Sequence, residues 1–213
     1  MNALSDLLLV LLILLNLRLL GTSRLGVCIN TAALQAVLLA ALPLLTGEWP
    51  EYWVLVVLAA GVVVKAFVLP RFLRRAVRQA GVVREVEPLV GFNVSILVGV
   101  ALLGASFYLS RQLVIPWIEN AALLTPVALF TVFTGLFIIV TRRKAVTQVV
   151  GYLVMENGIW AFGTAFAIRE PFLVEMGVLL DVFVAVFVMA IVVHHISRTF
   201  DHMDTDQLSA LKD

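Results

Sequence analysis

Charge is scarce in this chain of 213 residues, and cysteine and histidine are scarcer still. Charged residues make up 14% of it and apolar residues 62%, against about 25% and about 47% in soluble globular domains. Such a chain is not a water-soluble enzyme. With Cys28 as the lone cysteine, neither a disulfide framework nor a thiolate metal cluster can form. The histidines are three and have no cysteine at zinc spacing, so neither a bound metal nor a cofactor is expected. A net charge of +1 gives no reason to expect a nucleic-acid partner. Met1 to Asp6 carries no basic residue, and no small-residue cleavage site follows. The first apolar run is therefore expected to stay as a span rather than to leave as a signal peptide.

What the chain has in abundance is long apolar runs, and a bilayer crossing takes about 20 such residues. Seven spans are expected, at 3–20, 25–45, 52–70, 89–109, 122–141, 145–167 and 172–195. The fold class is all-α, one polytopic transmembrane bundle over 1–195 with a polar tail at 196–213. Pro88 is expected to open the fourth helix, where its missing N–H costs little. Basic residues set the orientation. Twelve fall on one side: Arg18, Arg24, Arg71, Arg74, Arg75, Arg78, Arg84, Arg142, Arg143, Lys144, Arg198 and Lys212. The other side receives Arg111 and Arg169. The N-terminus is thus expected outside and the tail in the cytoplasm, in a bacterial or archaeal inner membrane.

The longest connector, Arg71 to Glu87, sets Phe72, Leu73, Ala76 and Val77 against arginines at 71, 74, 75 and 78. It reads either as an interfacial helix on anionic lipid or as an ordinary positive-inside loop. Glycines 61, 99, 104, 135, 151, 158, 163 and 177 stand within the spans, where small residues let helix backbones approach closely. In the tail, Asp204, Thr205 and Asp206 precede a stretch too short for a stable helix of its own, which is expected to order on a partner subunit.

The intramembrane charges are the chemically loaded residues. An ionised side chain at mid-bilayer costs roughly 3 kcal/mol on insertion scales, so it needs a partner, water or a neutral form. Glu156 lies eleven residues into the sixth span, roughly 16 Å from its basic end at 1.5 Å per residue. Asp181 sits at a similar depth in the seventh, with Glu175 nearer the outer surface. Lys65 is the natural countercharge, although its stem is long enough to snorkel to the interface. Gln148, Tyr152 and Glu156, spaced by four, share one helix face. His195 lies roughly on the Asp181 face, at the basic end of its helix. Such rows of acids, histidines and polar groups are how proton relays cross lipid.

From Thr141 onward the runs TRRKAVTQVVGYLVMENGIW, PFLVEMGVLLDVFVAVFVMAIVVHHI and RTFDHMDTDQLSALKD resemble hydrogenase-4 component E. KAFVLPRFLRR at 65–75 and VVREVEPLVG at 82–91 are similar to the same family's pattern. The resemblance implies a membrane subunit of formate-hydrogenlyase-type, energy-converting [NiFe] hydrogenases. Its latter part is akin to the small K-type subunit of respiratory complex I and to small subunits of Mrp-type antiporters. By that resemblance Glu156 and Glu175, with Asp181 beside them, take part in proton movement, and metal centres belong to partner subunits. The expected function is non-catalytic: coupling electron transfer in partners to proton or sodium translocation through Glu156, Glu175, Asp181 and Lys65. A purely structural subunit, the small subunit of a related cation antiporter, and a seven-helix receptor or retinal protein are the competing classes. The last of these lacks a Schiff-base lysine in the seventh span.

Overall fold

The computed structural model describes residues 3–45, 56, 59–79, 88–113 and 123–164. Among these there is no strand, and helices account for nearly all of them. Helix α1 spans Ala3–Gly21 and α2 spans Leu25–Leu45. A π-helical segment, Val63–Val68, runs without a break into α3, Leu69–Gln79. Helix α4 covers Phe92–Gln112, α5 covers Leu124–Thr141 and α6 covers Ala145–Thr164. Four of them, α1, α2, α4 and α5, are long and apolar enough to cross a bilayer. Helix α6 is as long, but Gln148, Glu156 and Asn157 dilute it.

Two expected boundaries move, each for a local reason. The third run does not stop at Pro70. Helical backbone continues through it, and the wide π turn lies immediately before it, with the Leu69 N–H donating to the Val64 carbonyl. A proline removes a donor and crowds the carbonyl four residues back, and a widened turn relieves both. The Arg71 and Arg74 side chains then donate to the carbonyls of Phe67 and Pro70 at 3.2 and 3.1 Å. Pro88, for its part, does not open α4. It forms an isolated bridge with Arg142, Leu89 N–H donates to the Thr141 carbonyl at 2.8 Å, and the helix starts at Phe92.

Packing selects one face of each apolar run. On α1 the buried positions are Ser5, Leu9, Leu12, Leu15, Asn16, Leu19 and Leu20, a stripe at helical spacing. Helices α5 and α6 form the closest pair, because glycines meet there. A Cβ on Gly158 would stand 2.6 Å from the backbone nitrogen of Val132, a distance that only a bare Cα permits. Of α4 only Ser95, Gly99 and Ser106 are buried, so a narrow line of small side chains seats it while its large residues face outward.

The core is divided. One apolar cluster gathers Leu19, Leu20, Leu25, Ile29, Leu73, Ile138, Val150 and Val154 toward the arginine-rich ends of the helices. The other gathers Leu9, Leu12, Leu39, Leu42, Leu124, Val127 and Ala161 toward the opposite ends. Between them α1, α2, α5 and α6 contribute buried polar residues: Asn16, Gln35, Thr131 and Thr134, Glu156 and Asn157.

Candidate functional site

That polar layer holds two connected groups. In the first, Gln35 Nε2 donates to Asn16 Oδ1 at 2.8 Å, and Asn16 Nδ2 donates to Thr131 Oγ1 at 2.8 Å. Thr131 Oγ1 in turn donates to the Val127 carbonyl at 2.8 Å, so α2, α1 and α5 are tied in one line. In hydrocarbon each such side chain would otherwise lack a partner, and interhelical bonds of this kind contribute about 0.6 kcal/mol on average.

The second group carries the charge. Lys65 Nζ stands 2.8 Å from Glu156 Oε1, with the lysine side chain 12% exposed and the glutamate 2%. Lys65 lies within the π-helical segment, and π turns recur at functional sites because the displaced register re-aims a side chain. Glu156 sits eleven residues into α6, roughly 16 Å along it at 1.5 Å per residue, near the middle of a hydrocarbon core of about 30 Å. Its neighbour Asn157 donates from Nδ2 to the Ala32 carbonyl at 3.3 Å, tying α6 to α2 beside the pair. At 100° per residue the Glu156 and Asn157 face lies well around the helix from the glycine face that meets α5. Helix α6 is thus clamped on one side by backbone contact and presents its polar pair on another.

A 2.8 Å separation suits an ammonium beside a carboxylate or an amine beside a carboxylic acid. A proton that crosses it converts a charge pair into a neutral one while both heavy atoms stay in place. That is what the arrangement can do chemically.

The other expected relay residues are placed unevenly. Tyr152 is half-buried and packs against the first apolar cluster. Gln148 is exposed at the start of α6, and its Nε2 donates to the Arg142 carbonyl at 3.0 Å. The row of three runs from surface to interior, with Gln148 engaged by the α5–α6 link. Glu175, Asp181 and His195, with the seventh span and the tail, lie outside the described residues.

Sequence reasoning missed Arg142. It counts among the basic residues of one membrane side, yet it is 2% exposed. Its guanidinium donates to the Leu20 carbonyl at 3.2 Å, to Ser95 Oγ at 3.4 Å and to the Val90 carbonyl at 3.4 Å. It also lies over the Phe92 ring, 5.2 Å from the centroid. Burial draws its pKa down from the usual guanidinium range, but an arginine remains charged at neutral pH. Asn157 was also missed. The signal for it was available, since an amide next to a mid-span glutamate needs a partner as much as the acid does.

The family model for NADH-ubiquinone/plastoquinone oxidoreductase chain 4L matches residues 122–213. An uncharacterized protein of Mycobacterium tuberculosis is 34% identical over 189 residues, 87% of this chain and 85% of that protein. Hydrogenase-4 component E of Escherichia coli is 41% identical over 86 residues, 40% of each chain, and its Shigella flexneri counterpart matches equally. No solved structure matches. Glu156 falls inside the chain 4L-like stretch, whereas Lys65 falls outside it.

Proposed function

This chain belongs to the family of hydrogenase-4 component E and complex I chain 4L-like membrane subunits, and from that premise we propose that it is a non-catalytic, multi-pass subunit of an energy-converting hydrogenase complex. In that role it works in a bacterial or archaeal cytoplasmic membrane beside membrane and peripheral partner subunits. It helps couple their electron transfer to the movement of protons, or of sodium ions, across the lipid. The Lys65–Glu156 pair, 2.8 Å long with the glutamate 2% exposed, is the observation that carries this reading.

The mechanism rests on the cost of charge in hydrocarbon. An unpaired ion there costs roughly 3 kcal/mol or more, so each member of the pair holds the other's charge in place. A charge that arrives or leaves in a partner subunit, or on the other expected carboxylates Glu175 and Asp181, shifts the balance between the charged and neutral pair. The proton that moves in response is itself transported, or its movement is coupled to that of a sodium ion. Tyr152 and Gln148 extend the polar face toward the arginine-rich side, and His195 serves the same end of the seventh span. A supporting subunit that only holds antiporter-like partners together is the competing reading, because a buried ion pair also locks two helices.

Glu156→Gln separates the two. It keeps the side chain's size and removes its titration. The complex is expected to assemble and to turn over, with proton translocation per turnover in proteoliposomes reduced at least ten-fold and partly restored by Glu156→Asp. Pumping at the wild-type level by Glu156→Gln would rule out proton handling. The proposed orientation, N-terminus outside, is checked by reporter fusions after residues 80, 143 and 205, which should all report the cytoplasm.

A further inference from the structure

A small cavity lies against Lys65, and from it we infer the side of the membrane from which the Lys65–Glu156 pair is loaded: through a one-water site, from the face that carries Arg74. This inference rests on the proton-handling reading above and adds a route to it. The cavity gives about 10 Å³ to the centre of a water-sized sphere, which is the space one molecule requires. Ala32 and Ala33 leave the room on the α2 side, where longer side chains would fill it. Its polar lining is Lys65 and Asn157. The Lys65 ammonium, the Asn157 amide and the Ala32 carbonyl that accepts from it offer the two to four polar partners a buried water needs.

The floor of this cavity points to its outlet. Ile29 and Leu73 line it, and they are 2% and 1% exposed. Next to them in sequence stand Asn30 and Arg74, both exposed, with Arg74 Nη1 donating to Asn30 Oδ1 at 3.3 Å. Of the lining residues on α2 and α3, Ile29 and Leu73 lie nearest the arginine-rich ends, so two aliphatic side chains close the cavity on that side, with the exposed Arg74–Asn30 bridge beside them. A single layer of two aliphatic side chains is thin, and their rotamer changes are fast compared with enzyme turnover. When a proton passes from Lys65 Nζ to the Glu156 carboxylate, a neutral amine is left. That amine takes a proton from the cavity water, and a proton from the Arg74 face restores the water.

Filling the cavity tests the route in the assembled complex. Ala33→Val adds two methyl groups to a half-buried wall residue that takes no part in the ion pair, while Ala33→Ser adds a polar atom of similar size. Ala33→Val is expected to cut proton translocation per turnover at least ten-fold, and Ala33→Ser to retain most of it. Where Ala33→Val lowers the yield of complex, Ala33→Cys in a Cys28→Ser background is treated with Ag⁺ from one face at a time. Block from the face bearing Arg74, and none from the opposite face, is the expected result. Wild-type pumping by an assembled Ala33→Val complex, Ag⁺ block from the opposite face, or no block from either overturns the route. Those results leave proton handling itself standing if Glu156→Gln still abolishes pumping.

Discussion

Gly135 and Gly151 oppose each other across the α5–α6 contact with no room for a side chain on either. A Cβ on Gly135 would stand 2.6 Å from the Gly151 carbonyl oxygen, and one on Gly151 would stand 2.9 Å from the Gly135 carbonyl oxygen. Backbone atoms cannot give way as the tip of a side chain can. Gly135→Ala and Gly151→Ala should each destabilise the α5–α6 pair by about 1–3 kcal/mol, the range for overpacked cores. Gly104→Ala and Gly163→Ala are the controls, since nothing lies within 4 Å of a Cβ at either position. Thermal unfolding of the detergent-solubilised protein should rank the first two clearly below the second two. Equal melting temperatures would show that the helices separate to accommodate the methyl group.

Arg142 should behave as a structural centre and not as a topological charge. Its guanidinium serves acceptors from α1, α4 and the segment before α4, and it covers the Phe92 ring. Removing it leaves the buried Ser95 and the Leu20 carbonyl short of a donor, at about 1–3 kcal/mol for each orphaned group. Arg142→Lys should recover little, because an ammonium is a point charge that cannot spread donors over three acceptors. Arg143 next to it is exposed, and Arg143→Ala should change stability by no more than about 0.5 kcal/mol. Protease resistance of membrane vesicles gives the comparison, and a loss in Arg143→Ala equal to that in Arg142→Ala would refute it.

The ion pair should show a cycle of non-additive effects. Lys65→Met alone leaves the Glu156 carboxylate buried without its ammonium, a change that costs about 3–5 kcal/mol in buried pairs. Lys65→Met with Glu156→Gln removes both charges and should restore the yield of folded subunit toward that of the natural protein. Translocation should not return with it. Quantifying membrane-inserted protein across the single and double variants decides the point: yields that simply multiply would mean the two residues do not act on each other.

Much of this protein is a matter of composition, and for that reason is legible in its sequence. Transfer from water to hydrocarbon is a property of each residue by itself, so runs of leucine, valine and alanine declare their helices without reference to neighbours. Helix α2 occupies Leu25–Leu45, matching its apolar run, and α5 ends at Thr141 where the run meets Arg142. By the same reasoning Lys65 and Glu156 stand out in the sequence as residues that need partners. Which partner each would meet is a relation between two positions, and only packing could decide it. The π turn around Lys65 and the close α5–α6 contact bring Lys65 and Glu156 to 2.8 Å, and neither has a signature in the local pattern. The face of α1 is a similar case. When nearly every position is apolar, hydrophobicity does not select a stripe, and Asn16 turns inward because Gln35 and Thr131 are there to bind it. Arg142 is the sharpest instance. Its charge argues for water and its neighbours argue for the interior, and two carbonyls and a hydroxyl brought together from α1, α4 and the segment before α4 decide for the interior. The sequence by itself determined that this chain lives in a membrane as helices and that charges within its apolar runs need partners; the tertiary structure decided which charges meet, because a contact depends on two positions while partitioning depends on one.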